Sequence, residues 1–269
     1  MTLEFVKMNG AGNDFVLIDN RDGTVQLNRA QIVQLCHRQR GIGADGLFLL
    51  VPCRSGKARW AWDFYNNDGS TAAMCGNGAR CFARFIQKVT GDPTDTSFET
   101  GAGVIQAHFQ GSLVRVGLTP PRDLRLSRTV RLTDGEVVAH SLNTGVPHAA
   151  LFVEDADRAM VTTVGPQVRY HPDFGPSGTN VNFVQVLGPN AIRVRTYERG
   201  VEGETLACGT GVTACALISA RLHGFESPIS VRVQGGDTLQ VSFAQKGDHF
   251  EDVHLTGPAD FVFEGKITI

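Results

Sequence analysis

Hydrophobic and polar residues alternate or recur in short, clearly bounded blocks along the chain. Trp60, Trp62 and Phe64 alternate with Ala61, Asp63 and Tyr65, which predicts a strand with one wet face. The unbroken apolar run over 47–51 predicts a buried strand, and residues 15–19 predict another after the tight turn Asn9-Gly10-Ala11-Gly12. Over 29–37 the period changes. Ile32, Val33, Leu35 and Cys36 share a helical face, with Asn28 placed as N-cap. A second helix is expected over 78–89, carrying Ala79, Phe82, Phe85, Ile86 and Val89 and ended by Gly91. Residues 104–109 and 112–118 read as a hairpin around Gln110-Gly111. The run Thr119-Pro120-Pro121-Arg122 breaks the pattern and marks a domain boundary. Strands resume over 137–142, 149–153, 181–187 and 192–197, and again over 229–234, 238–243 and 253–256. Between these two groups a helix over 211–223, ended by Gly224, is apolar on nearly every side. It belongs inside its domain.

A repeat lies in this pattern. Cys75-Gly76-Asn77-Gly78 answers Cys208-Gly209-Thr210-Gly211, and each opens a helix. Each follows a strand ending in tyrosine, Tyr65 or Tyr197. After each helix a strand runs into glycines, Gly101 and Gly103 or Gly235 and Gly236. Four features recurring in order point to a duplication, with halves at 1–118 (rejoined by 259–269) and 119–258.

Composition narrows the function classes. The 269 residues are 42% hydrophobic and 19% charged, as in a globular protein with a real core. Lys and Arg total 25 against 27 Asp and Glu, so no basic field is available for nucleic acid or an anionic membrane. No apolar run approaches a membrane span, and the first residues lack the form of a secretory signal. The expected location is therefore cytoplasmic, and the 6 cysteines are expected to be thiols. No CxxC or HExxH spacing suggests a metal. Gly41-Ile42-Gly43-Ala44-Asp45-Gly46 fits GxGxxG, but a helix precedes it and a strand follows, the reverse of a dinucleotide site.

Cys36, Cys53, Cys81 and Cys215 read as core residues. Cys75 and Cys208 differ, because each stands at a glycine-rich helix start. The N–H groups there have no partner within the helix, and the helix dipole adds about half a positive charge. Such a place stabilises a thiolate and can hold a carboxylate or enolate. Two like thiols from two related halves suit the inversion of a carbon bearing hydrogen, one removing a proton from one face while the other supplies one to the opposite face.

The blocks Met8-Asn9-Gly10-Ala11-Gly12-Asn13-Asp14-Phe15, Asn66-Asn67-Asp68-Gly69 with Cys75-Gly76-Asn77-Gly78-Ala79-Arg80-Cys81, and Glu198-Arg199-Gly200 with Ala207-Cys208-Gly209-Thr210-Gly211 resemble, in this order, the diaminopimelate epimerase family. The resemblance spans almost the whole chain. It implies an α/β (α+β) fold of two pseudo-symmetric domains, each a strand barrel wrapped around a central helix, with the active site in the cleft between them. It implies a cofactor-independent isomerase, commonly a homodimer, that interconverts LL- and meso-diaminopimelate in lysine and cell-wall precursor synthesis. Carried over by position, Cys75 and Cys208 are the acid/base thiols. Asn13, Asn66, Asn180, Glu198 and Arg199 bind substrate, as do Gly76, Asn77, Gly209 and Thr210 through their backbone. His148 and Glu198 tune the thiols.

Two positions depart from the family pattern. Val146 stands where an asparagine is usual, and Gly46 where a glutamine sometimes occurs, so neither offers a side-chain contact. These departures keep open a racemase of another amino acid, such as proline or hydroxyproline. A non-catalytic amino-acid binder or a thiol redox protein on the same fold is the reading from another class.

Overall fold

The computed structural model describes residues 1–269 and divides into two compact units, Met1–Gly117 with Gly257–Ile269, and Leu118–Thr256. In the first unit β1 (Thr2–Gly10) turns into β2 (Asn13–Asp19). Helix α1 (Arg29–Cys36) then crosses to β3 (Gly46–Pro52), parallel to β2, and β3 forms a hairpin with β4 (Trp60–Asn66). Helix α2 (Gly76–Thr90) leads to β5 (Thr96–Thr100), parallel to β4, and the antiparallel strands β6 (Gly103–Gln110) and β7 (Leu113–Gly117) follow. The C-terminal strand, residues 260–268, returns to pair with β1.

The second unit repeats this order. Strand β8 (Arg122–Leu132) pairs with β9 (Gly135–Asn143), which turns into β10 (Pro147–Phe152). Helix α3 (Val161–Arg169) crosses to β11 (Asn180–Gly188), parallel to β10, and β11 forms a hairpin with β12 (Ala191–Glu198). After the short β13 (Gly203–Thr205), helix α4 (Gly209–His223) leads to β14 (Ile229–Arg232), parallel to β12, and then to β15 (Thr238–Lys246) and β16 (His249–Pro258). The final strand is β17 (Asp260–Thr268). The pairing of β17 with β1 corresponds to that of β8 with β9, so the duplication extends through the strand order.

Each unit carries two cores because its central strands bury both faces. Leu47, Leu49 and Val51 of β3 pack with Ile32, Leu35 and Cys36 of α1. Phe48, between them in sequence, points the other way. It stacks on Phe64 with centroids 4.2 Å apart and meets Trp62 and Phe82 of α2. That accounts for an apolar run in place of alternation. Likewise Val181 and Phe183 of β11 pack with Val161 and Val168 of α3, while Asn180 and Asn182 alternate to the opposite face. Helix α4 is buried from Gly209 to Ala220 apart from Thr210, as its all-round apolar character predicts.

Both central helices begin two residues before their expected starts, so that Cys75 and Cys208 are the N-caps themselves. Asn28 caps α1, and Gln31 reaches back to complete a capping box. The sequence pattern does not predict β1, β8, β13, β17 or α3.

Candidate active site

The residues flanking each repeated helix start are described within their own unit. Cys75 has extended backbone angles, φ −148° and ψ 115°. Its sulfur accepts the Gly78 N–H at 3.3 Å. Ser, Asp or Asn usually does this work, so a thiol cap places sulfur against a first-turn amide. Gly76 and Asn77 supply the other first-turn N–H groups, which have no carbonyl partner one turn back. The Gly76 carbonyl accepts from the Arg80 guanidinium at 3.4 Å. In a trans peptide the N–H opposes the carbonyl, so this contact also aims the Asn77 N–H.

Asn77 is buried, and its side chain turns away from the thiol into a polar chain. Its Oδ1 accepts from Arg80 Nη2 at 3.0 Å, and its Nδ2 donates to Asn13 Oδ1 at 2.7 Å. Asn13 Nδ2 in turn donates to Asp45 Oδ2 at 2.9 Å. Arg80 is fully buried, and its Nε also holds the Pro258 carbonyl at 3.1 Å. Asn66 stands outside this chain. It ends β4 opposite Gly46, and its amide donates to Ser70 Oγ at 3.0 Å.

In the second unit Cys208 caps α4 with φ −120° and ψ 105°. Its sulfur lies 3.6 Å from Thr210 Oγ1, which is 2.9 Å from His148 Nε2. His148 is completely enclosed. Burial, aided by the charge of Arg199, depresses its pKa to about 3, so the ring is neutral near pH 7. Its Nδ1 faces the Asn182 amide nitrogen at 3.4 Å. Asn182 also donates to the Ala149 carbonyl and accepts from Thr196 Oγ1. An acceptor at Nδ1 leaves the proton on Nε2, which donates to Thr210 and frees that hydroxyl to donate toward Cys208. The ring therefore reaches Cys208 through Thr210 and as a neutral donor. Thr213 Oγ1 holds the Gly209 carbonyl at 2.9 Å, the counterpart of Arg80 on Gly76, and Thr144 Oγ1 holds the Thr210 carbonyl at 2.8 Å.

Asn180 lies beside His148 in the parallel β10–β11 pair. Its Nδ2 donates to the Pro147 carbonyl and its Oδ1 accepts the Arg199 N–H at 2.9 Å. The Arg199 guanidinium touches the Ser177 carbonyl at 3.4 Å, and Glu198 Oε2 accepts from Thr205 at 2.8 Å. Val146 sits in the β9–β10 turn, where its carbonyl accepts from Thr144 N–H.

Three of the remaining cysteines are core residues. Burial raises the thiols of Cys36 and Cys81 to about 12 and that of Cys215 well above its ordinary value. Cys53 corrects the core reading. It lies beyond the end of β3, half-exposed, near Ser55 and donating to Glu99 Oε2 at 3.1 Å, and the Ser55 contact holds its thiol below the usual range. No three His, Cys, Asp or Glu side chains converge as a metal-ligand set. Helix α1 precedes and β3 follows the Gly41 to Gly46 run, whose Asp45 belongs to the Asn13 chain.

The sequence does not single out Asp45, Arg80, Thr144, Asn182 or Thr213. Arg80 shares its helix face with Asn77, Arg84 and Gln87, opposite the apolar stripe, so nothing in the sequence marks its burial.

The family model described as diaminopimelate epimerase matches residues 5–122 and 140–262. The chain is 42% identical to the diaminopimelate epimerase of Aquifex aeolicus over 99% of this chain and 98% of that one, and 42% identical to that of Chlorobaculum tepidum over 97% and 100%. Among solved structures, a hydroxyproline epimerase from Agrobacterium vitis superposes with TM-score 0.73 at 17% identity, covering 99% of this chain and 91% of that one. A phenazine biosynthesis protein from Bacillus anthracis superposes with TM-score 0.74 at 13% identity, covering both chains fully. These two share the mixed α+β, two-domain architecture. With the family model spanning most of the sequence and relatives of this identity aligned nearly end to end, the chain belongs to the diaminopimelate epimerase family.

Proposed function

We propose that the chain interconverts LL- and meso-diaminopimelate by a two-base mechanism, with Cys75 and Cys208 as acid and base. The observation that carries the reading is that both thiols cap the equivalent helix of two topologically equivalent units, in a member of this family. In one direction the thiolate of one cysteine removes the Cα proton, and the electron pair moves into the adjacent carboxylate. The thiol of the other cysteine then delivers its proton to the opposite face of Cα. Product leaves with the protonation states of the two sulfurs exchanged, so the reverse reaction uses the same pair.

The barrier lies in placing charge on Cα and its carboxylate. First-turn N–H groups of Gly76, Asn77, Gly209 and Thr210 meet that charge as it grows, in a setting organised beforehand by Arg80, Thr213 and Thr144. The neutral His148 is not the proton carrier. It supports Cys208 through the Thr210 hydroxyl. At the distal end the Arg199 fork suits a carboxylate and Glu198 an ammonium, with Asn66 and Asn180 filling the remaining polar positions. The likeness to a hydroxyproline epimerase, at 17% identity, concerns the fold alone. No helix is long and apolar enough to cross a membrane. A cytoplasmic homodimer acting on this small substrate completes the proposal.

The test is to incubate the purified protein with LL-diaminopimelate, without added cofactor, and resolve the stereoisomers by chromatography. Accumulation of the meso isomer to a constant ratio supports the reading. Its absence, with turnover of proline or hydroxyproline, refutes it.

A further inference from the structure

Asn13 raises a question that the proposed function leaves open. An asparagine amide can meet substrate with its N–H groups, and so take a carboxylate, or with its oxygen, and so take an ammonium. The neighbours of Asn13 decide between these. Arg38 Nη2 donates to Oδ1 of the Asp45 carboxylate at 2.7 Å. The other oxygen, Oδ2, can only accept. Asn13 must therefore turn Nδ2 toward it. At the far end the Arg80 guanidinium can only donate, so Asn77 must turn Oδ1 toward it and present Nδ2 to Asn13 Oδ1. Flipping Asn13 would set oxygen against oxygen at 2.9 Å and nitrogen against nitrogen at 2.7 Å. Asn13 is half-buried, and one Nδ2 hydrogen is spent on Asp45. Its Oδ1 is already engaged by Asn77, and the second Nδ2 hydrogen is the donor it has left to offer.

The second unit shows what the buried charge adds. Thr213 occupies the position equivalent to Arg80, five residues after the capping cysteine, and holds the first carbonyl of its helix with a hydroxyl alone. A guanidinium is therefore not needed for that contact. Full burial of a cation is costly unless its donors are satisfied. Beyond that contact Arg80 makes bonds that Thr213 does not, from Nε to the Pro258 carbonyl and from Nη2 to the amide of the next residue, Asn77.

We propose that Asp45 and Arg80 are positioning residues that lock the amide polarity of Asn13, so that Asn13 meets substrate as a hydrogen-bond donor and takes a carboxylate oxygen. The assignment rests on the reading of Asn13 as a substrate contact.

The test inverts the polarity of the chain. In the double variant Asn13→Asp with Asp45→Asn, the amide at position 45 donates to the new carboxylate at position 13, which still accepts from Asn77. The chain from position 45 to Asn77 stays satisfied, with only the long Asp14 N–H contact to position 45 given up, but it meets substrate as an acceptor. KM for LL-diaminopimelate should rise by about 100-fold or more, with at most a small fall in the unfolding midpoint. Asp45→Asn alone unlocks the amide and should raise KM about 3- to 10-fold, with kcat within about twofold. Arg80→Met should match it, and should it fail to fold, Asp45→Asn and the inverted pair decide. Arg38→Gln removes the ion pairs to Asp14 and Asp45 while sparing Asp45 Oδ2, and should leave KM as in wild type. The Asn13 side-chain amide protons, followed by NMR without substrate, should exchange slowly in wild type and faster in Asp45→Asn. That measurement tests the lock even if wild type does not turn over diaminopimelate, the result that would sink the functional reading instead. A wild-type KM in the inverted pair, or equal amide exchange in wild type and Asp45→Asn, overturns the assignment.

Discussion

Gly78 and Gly211 hold the third position of α2 and α4, three residues after each cysteine, and what faces each differs between the units. A Cβ added at Gly211 would lie 2.4 Å from Asn182 Oδ1, and one at Gly78 would lie 2.5 Å from Cζ of Phe48. Intrinsic preference opposes the outcome expected here, since alanine favours helix over glycine by about 1 kcal/mol. In Gly211→Ala the obstacle is a fully buried amide bonded to the Thr196 hydroxyl and the Ala149 carbonyl. Displacing it strands two buried polar groups at about 1–3 kcal/mol each, so the net effect is a loss of about 1–5 kcal/mol. In Gly78→Ala the obstacle is a ring stacked on Phe64, where overpacking costs about 1–3 kcal/mol and leaves a net loss of about 0–2 kcal/mol. Urea unfolding gives the stability change, and hydrogen exchange gives its place. Gly211→Ala should lose protection in α4 and β11 while α2 keeps its own. An unchanged or raised midpoint for Gly211→Ala would refute the claim that the Asn182 network fixes the α4 start.

Further outcomes follow from other parts of the structure. Cys75→Ala and Cys208→Ala should each lower net epimerisation by at least about 10²–10⁴-fold, while removal of a suitable Cα hydrogen on one face survives, as measured by chiral chromatography and deuterium exchange. Buried neutral His148, with its pKa depressed from the usual 6.5 to about 3, contributes stability that is whole above pH 6.5 and is lost as pH falls toward 3. The slope, up to about 1.4 kcal/mol per pH unit, should flatten in His148→Gln, as read from denaturation midpoints across that window. Asn28→Ala breaks the capping box of α1 and should cost about 0.5–2 kcal/mol in the same assay.

Elements whose hydrophobic pattern matches a buried face are legible in the sequence alone. Helices α2 and α4 show a stripe and an all-round apolar surface, and β3 an apolar run buried on both faces. Of the missed elements, β8, β17 and α3 bury little, whereas β1 is largely buried with Lys7 interrupting its apolar pattern. Strand β8 carries Arg122, Arg125, Arg128 and Arg131 and buries little beyond Val130, and β17 is mostly exposed. Helix α3 contains Pro166 and buries only Val161, Gly165 and Val168. The partner of β17 is β1, at the other end of the sequence, where a local pattern carries no signal, while β8 forms a hairpin with β9 but lacks apolar alternation. The same division runs through the site. The capping cysteines are readable because a helix start is local. The chain from Asp45 through Asn13 and Asn77 to Arg80, and the link from Thr196 through Asn182 and His148 to Thr210, join residues from separate strands and helices. The half-exposure of Cys53, by contrast, turns on its position beyond the end of β3, which composition does not reveal.

The central claim is that two different thiols serve the two faces of one carbon, and the early course of the reaction in D₂O tests it most directly. LL-diaminopimelate is mixed with the enzyme in D₂O and quenched while conversion is small, and both isomers are analysed by mass spectrometry. A thiol holds one proton, so the sulfur that removes the substrate hydrogen can return only that hydrogen, while the opposite sulfur delivers a solvent-derived one. The account predicts that the meso product carries one deuterium from its first appearance while recovered LL substrate remains unlabelled. Product that retains the original hydrogen, or substrate that gains deuterium as fast as product forms, would contradict it.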